Sequence, residues 1–93
     1  MEPLEIFWTE YMKYRVELRG YDFAMVEDIL RYSSERYVDT VTGRLVAVGR
    51  HAQLLIMIPY EQTGSGLQPV TIHATSRQQI NFRIKTGRLE QYG

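Results

Sequence analysis

The chain has 93 residues, of which 44% are hydrophobic and 24% charged, and its formal net charge is zero. This length and composition argue against disorder and predict one globular domain over residues 1–93. The absence of cysteine from the sequence excludes disulfide bonds, thiolate metal sites and cysteine nucleophiles.

The charges are unevenly divided between the two halves of the chain. Residues 1–43 contain five Lys or Arg and nine Asp or Glu, whereas residues 44–93 contain six and two. A basic C-terminal half can indicate an anionic partner. It can equally indicate that the two halves complement each other within the fold, and both interpretations stay open at this stage.

The sequence carries neither a secretory signal pattern nor a membrane-spanning pattern. Residues 1–10 contain acidic residues where a signal peptide has a basic segment followed by an apolar one. The longest nearly apolar run, residues 54–59, is too short to span a bilayer. We therefore expect a cytoplasmic protein that makes no membrane contact.

Two helices are predicted in the first third of the chain. Thr9 and Asp22 are suitable N-caps, and apolar residues follow each of them at helical spacing. Gly20 is expected to end the first helix, and Ser33 and Ser34 the second. We interpret the tyrosines of this region as core residues rather than base-stacking platforms (Tyr11, Tyr14, Tyr32 and Tyr37).

After Arg36 the apolar residues recur with period two, which is typical of strands. Residues 37–39 and 44–50 flank a turn at residues 41–43 and predict a hairpin. Residues 54–58 are apolar at every position, which is typical of a strand covered on both faces.

The connections of this central strand are predicted from glycines and polar residues. Residues 49–52 are expected to form the turn before it, and residues 61–68 a flexible loop after it. Residues 70–74 alternate again, with Val70 and Ile72 on one face and His73 on the other.

A third helix is predicted from Ser76, because serine followed three residues later by Gln79 is a capping-box pattern. The element order therefore gives an α+β fold: two N-terminal helices, a central antiparallel sheet of about four strands and one C-terminal helix. Short connections make the strands antiparallel, with the helices on one face or at one end of the sheet.

The sequence contains no phosphate-binding glycine loop, no nucleophile elbow and no histidine pair at i, i+4. Its two histidines, His51 and His73, show no metal-ligand spacing, so we expect neither a metal nor a cofactor. Without these motifs, a metal or a cofactor, the side chains that remain available for catalysis are basic, imidazole and hydroxyl groups. They suit cleavage of RNA by its own 2′-hydroxyl, since histidine or glutamate can take the proton and arginine can bind the phosphate.

His73 and Arg77, four residues apart at the predicted strand-to-helix junction, are the leading candidates for this chemistry. Further candidates follow predicted strands or lie in the last turns of the third helix: Arg50, His51, Tyr60, Glu61, Arg83 and Lys85. Each also has a structural interpretation. Both histidines can be ordinary strand-end or turn residues, and cations near a helix C-terminus are favoured by the helix dipole.

Three stretches make the chain resemble the BrnT-like toxins of bacterial type II toxin–antitoxin systems, a branch of the RelE/ParE superfamily. They are Ile6-Phe7-Trp8 with the helix ending Leu18-Arg19-Gly20-Tyr21, the strands from Arg44 to Gly49 and from Leu54 to Glu61, and Val70-Thr71-Ile72-His73-Ala74 before a basic helix. The Thr-Ile-His-Ala-Thr stretch is also similar to short cyanobacterial proteins. Thr75 stands where the toxin family has arginine.

The resemblance implies a RelE-like fold, a functional role for Glu61 and for the strand-to-helix junction, and a small antitoxin as partner. The resulting hypothesis is a metal-independent endoribonuclease in which His73 and Glu61 transfer protons while Arg50, Arg77 and Arg83 bind phosphate. A non-catalytic binding module with a protein partner is the alternative, a small-molecule enzyme is a third option, and formation of a homodimer stays open.

Overall fold

The computed structural model describes residues 4–92. Within this range three helices and seven strands follow one another in the order β1 (Glu5–Ile6), α1 (Glu10–Arg19), α2 (Phe23–Tyr32), β2 (Glu35–Asp39), β3 (Leu45–His51), β4 (Leu54–Thr63), β5 (Gly66–Pro69), β6 (His73–Thr75), α3 (Arg77–Lys85) and β7 (Leu89–Gln91). The α+β class, with two N-terminal helices and one helix near the C-terminus, is confirmed.

The helices begin where the sequence predicts them. The hydroxyl of Thr9 accepts a hydrogen bond from the Met12 amide at 3.1 Å, and the carboxylate of Asp22 accepts one from the Ala24 amide at 2.9 Å. Ser76 accepts one from the Gln79 amide at 3.1 Å. These contacts are confined to neighbouring residues and satisfy backbone donors that a helix start leaves free.

The sheet differs from the prediction of about four antiparallel strands. Its strands run in the order β1-β5-β4-β3-β2-β7, and β6 adds to the same side of β4 as β5. All pairings are antiparallel except that of β1 with β5, so the sheet is mixed. The unpredicted strands are short, and segments of two to four residues carry too little periodicity to be read from sequence.

The predicted connections of β4 also need correction. The strand β3 continues through His51, which pairs with Leu54, so the turn is confined to residues 52 and 53 rather than residues 49–52. The predicted loop at residues 61–68 is a hairpin, in which Thr63 pairs with Gly66. Its glycines, Gly64 and Gly66, suggested a loop, but β4 supplies backbone partners that a sequence pattern does not reveal.

Apolar side chains cover both faces of the sheet, as the run at residues 54–58 predicts. On one face α1 and α2 pack over β3, β4 and β5, with Ile56 and Ile58 fully buried beneath them. On the other face Leu55 and Met57 pack with Ile80 of α3. The expectation that the helices share one face or end is therefore wrong, because a strand that is apolar on both sides needs cover on both.

Three of the four tyrosines interpreted as core residues are exposed instead. Tyr11, Tyr14 and Tyr32 point to solvent, and only Tyr37 is buried. On α1 the core needs just the narrow stripe of Met12 and Val16, which leaves the neighbouring tyrosines outside it.

The substitution Gly66→Ala is expected to destabilise the fold by about 1–3 kcal/mol, because it overpacks the site where β1 joins β5. A Cβ atom at residue 66 would lie 2.0 Å from Cε2 of Phe7 and 2.8 Å from the carbonyl oxygen of Glu5. Urea denaturation measures the loss. The matched control Ser65→Ala, in the adjacent exposed turn, should change stability by less than about 0.5 kcal/mol. Equal stability of the two variants would contradict this packing.

Candidate functional site

An open groove of about 480 Å³ lies on the face of the sheet that α3 covers. We call it the basic groove, since its charged lining consists of one histidine, three arginines and one aspartate: His73, Arg44, Arg83, Arg88 and Asp39. The remaining lining residues come from β4, β6 and α3, from the segment between β5 and β6, and from the turn between β2 and β3.

His73 occupies the first position of β6 and pairs with Met57 of β4. Its imidazole is half-buried, and this burial, together with the nearby cations Arg15, Arg19 and Arg83, lowers its pKa below the usual 6.5. All of these causes disfavour the imidazolium. The side chain is therefore neutral near pH 7 and can accept a proton there.

Arg83 reaches the same groove from the last turn of α3. It is half-buried, and its Nη1 donates to Sδ of Met57 at 3.6 Å, which is a weak hydrogen bond. Among residues 4–92 it forms no ion pair with a carboxylate within 4.0 Å. Its guanidinium therefore retains donors for an anion that enters the groove.

The other two arginines of the basic groove are ion-paired. Arg88 donates from Nε and Nη2 to the two carboxylate oxygens of Asp39, at 2.8 and 3.1 Å. This bidentate contact is the main reason that the pKa of Asp39 is lowered. Arg44 contacts Oε1 of Glu61 at 3.4 Å, and both side chains are largely exposed. Glu61 is thus linked to the groove through Arg44 and does not line it.

Arg77, the first residue of α3, is held outside the basic groove. Its two terminal nitrogens donate to the carboxylate of Glu35 at 2.5 and 2.9 Å. The hydroxyl of Tyr37 donates to the same carboxylate at 2.6 Å. Burial, followed by the contact with Glu35, raises the pKa of Tyr37 to about 12. This cluster ties the start of α3 to β2.

The remaining predicted site residues are spread over the surface or buried. Tyr60 is only 3% exposed, and its hydroxyl accepts a hydrogen bond from Arg36 at 3.0 Å on the side of α1 and α2. Arg50 and His51 are exposed at the end of β3, and Lys85 is exposed at the end of α3. Of the eight predicted residues, His73 and Arg83 lie together in the basic groove, whereas Tyr60 and Glu61 line a separate depression beside Arg44.

Sequence reasoning missed the arginines that surround His73 from other elements. Arg15, on α1, donates to the carbonyl oxygen of Ile72 at 3.4 Å, although 57 residues separate the two. Arg44 and Arg88 belong to the groove through a loop and through the segment after α3. The excess of basic residues in the C-terminal half pointed towards the latter two, but no local pattern indicates Arg15.

In comparisons with known proteins, no family model, curated protein or solved structure matches the chain at a significant level. Within residues 4–92 no group of three or more histidine and carboxylate side chains could hold a metal ion. In the same range no helix is both long and apolar enough to cross a membrane.

The burial of neutral His73 is expected to make folding stability depend on pH near neutrality. Because its folded pKa is lowered, the unfolded chain binds the proton more readily, and stability falls as the pH drops below about 6.5. The variant His73→Gln should lose less stability than the parent between about pH 7.5 and about pH 5.5. Urea denaturation at both pH values measures this difference, and His51→Gln, at the exposed histidine, is the control. A His73→Gln profile parallel to that of the parent would exclude this linkage.

Arg77 and Glu35 are expected to show a coupling energy of about 0.5–1 kcal/mol in a double-mutant cycle, as befits a bidentate but solvent-accessible ion pair. Their side chains are 47% and 26% exposed. The cycle combines Arg77→Ala with Glu35→Gln, which keeps an acceptor for Tyr37, and is measured by urea denaturation. Additive effects of the two substitutions would show that the pair contributes nothing to stability.

Proposed function

We propose that the protein is a toxin-like, metal-independent endoribonuclease with a RelE-like fold that binds RNA in the basic groove. The observation that carries the proposal is the shared position of His73 and Arg83, a neutral imidazole beside a guanidinium without a carboxylate partner among residues 4–92. The resemblance to BrnT-like toxins implies the same activity and a small antitoxin as partner.

The proposed reaction begins when the neutral imidazole of His73 accepts the proton of an RNA 2′-hydroxyl. The 2′-oxygen then attacks the adjacent phosphorus, and the bond from phosphorus to the 5′-oxygen breaks. Water protonates the leaving 5′-oxygen, and the imidazolium returns its proton to solvent. The products are a 2′,3′-cyclic phosphate and a 5′-hydroxyl.

Arg83 stabilises the negative charge that builds up on the phosphorane oxygens in this reaction. Its free donors are available in a half-buried site, where a charge-assisted hydrogen bond is stronger than in water. Arg44 and Arg88 also line the groove, where Glu61 and Asp39 hold them in place. In this proposal Glu61 and Arg77 are positioning residues, the latter because Glu35 binds it.

The activity is tested by incubating the purified protein with single-stranded RNA in the presence of EDTA. Cleavage should yield 2′,3′-cyclic phosphate ends, fall about 10²–10⁴-fold in His73→Ala and fall about 10²–10³-fold in Arg83→Ala. With the lowered pKa of His73, kcat/KM should rise with pH through a pKa below 6.5 and then level off. His51→Ala should cleave like the parent.

Two results together would contradict the ribonuclease proposal. One is RNA left intact by the parent protein, with and without ribosomes. The other is unchanged growth of cells that express the protein in the absence of an antitoxin. Melting temperatures of all variants distinguish loss of function from loss of fold.

A non-catalytic module that binds a protein partner is the second candidate. It is favoured by the ion pairs that engage three arginines on this side of the sheet, namely Arg44, Arg77 and Arg88. Paired arginines have less binding capacity left for phosphate, because their donors are already occupied. In this case the substitution His73→Ala would change neither RNA cleavage nor the growth of cells that express the protein.

A further inference from the structure

Most of the apolar residues of α3 do not pack in the core. Ile80 is the one buried residue of this helix, whereas Phe82 is 63% exposed and Ile84 is 42% exposed. Exposed single apolar residues are common, but Phe82 differs from Ile84 in its surroundings. Its ring lies in a concave part of the surface.

A depression of about 560 Å³ surrounds Phe82. Its lining combines this one aromatic ring with two amides, one hydroxyl and two guanidinium groups, and it includes no carboxylate: Gln78, Gln79, Phe82, Arg83, Thr86 and Arg88. Gln79, Arg83 and Arg88 also line the basic groove. The two cavities are therefore adjacent, and Arg83 lines both.

We infer that Phe82 is a stacking platform for a base of single-stranded RNA whose phosphate lies in the basic groove. The inference rests on the proposed function and specifies its substrate class. A flat aromatic ring beside arginines is the combination with which proteins bind single strands, since the base stacks on the ring and the cation binds the backbone.

The amides around the ring fit the same ligand. Gln78 and Gln79 lie four and three residues before Phe82, so that all three project from neighbouring positions on the helix. Gln79 accepts a hydrogen bond from the Thr75 hydroxyl at 3.0 Å through Oε1, which fixes the side chain and leaves its amino group free to donate. An amide beside a stacked base can hydrogen-bond the edge of that base.

Charge and shape favour a nucleotide over an apolar peptide as the occupant. No acidic group lines the depression, and of its two cations Arg83 has no carboxylate partner among residues 4–92, while Arg88 is bound to Asp39. Arg83 therefore attracts anions and binds them in a salt-dependent manner. In a duplex the bases are already stacked on one another, so that a protein ring cannot take up their faces. The platform therefore selects single strands, whereas the arginines contact both forms.

The experiment uses a fluorescein-labelled 2′-O-methyl RNA dodecamer, as a single strand and as a blunt duplex, because blocked 2′-oxygens prevent cleavage. Fluorescence anisotropy measures Kd for the parent and for four α3 variants, namely Phe82→Ala, Phe82→Trp, Ile84→Ala and Arg83→Ala. Phe82→Ala should weaken single-strand binding about tenfold, as expected for one lost stacking contact, and leave duplex binding unchanged. Phe82→Trp should retain single-strand binding, and Ile84→Ala should match the parent with both ligands.

The outcomes separate this inference from the proposed function. In one outcome, the parent binds both probes, Arg83→Ala weakens the binding of both, and Phe82→Ala has no effect. The stacking platform is then wrong, while RNA binding in the basic groove is supported. Equal weakening of single strand and duplex by Phe82→Ala also overturns the platform. If the parent binds neither probe, RNA binding itself is wrong and the protein-partner function gains support. Retention of single-strand binding by Phe82→Trp distinguishes stacking from damage to the fold.

Discussion

The two-sided burial of β4 is the constraint on which the rest of the molecule depends. Ile56 and Ile58 face α1 and α2, while Leu55 and Met57 face α3. A strand with apolar side chains on both faces is stable only when both faces are covered, because each exposed methylene group costs about 0.8 kcal/mol. The positions of all three helices follow from this strand. So does the basic groove, which forms where α3 leaves part of the second face open.

The length of β4 has a second consequence, since one side of it pairs with two strands in succession. Its C-terminal half pairs with β5 and its N-terminal half with β6. The chain between them departs from the ladder at residues 70–72, where the Val70 amide still donates to the carbonyl oxygen of Pro59 at 2.8 Å. This arrangement brings His73 within the electrostatic influence of Arg15 and Arg19 from α1 and of Arg83 from α3. The site is therefore characterised by a neutral histidine that lies near several cations.

The uneven charge distribution along the chain has a partly structural explanation. Glu35 and Asp39, from the acidic half, bind Arg77 and Arg88 from the basic half. Internal complementarity therefore accounts for these two arginines without a partner molecule. It does not account for Arg83, whose one side-chain hydrogen bond among residues 4–92 goes to the sulfur of Met57. The proposed RNA site is therefore centred on this arginine and on its neighbours His73 and Phe82.

The sequence by itself determined the features that depend on neighbouring residues. The caps at Thr9, Asp22 and Ser76 bind amides two or three positions away, so a local pattern is sufficient to find them. The burial of β4 on both faces could also be predicted from the sequence, because its apolar residues are consecutive. Tertiary structure alone decided the contacts that join distant segments, such as Arg77 with Glu35 at a separation of 42 residues. It also decided that Tyr60 is buried, that Glu61 reaches the groove only through Arg44, and that His73 and Arg83 share one cavity. Side-chain identity states what chemistry a residue can perform, but its partners depend on how the sheet brings remote segments together.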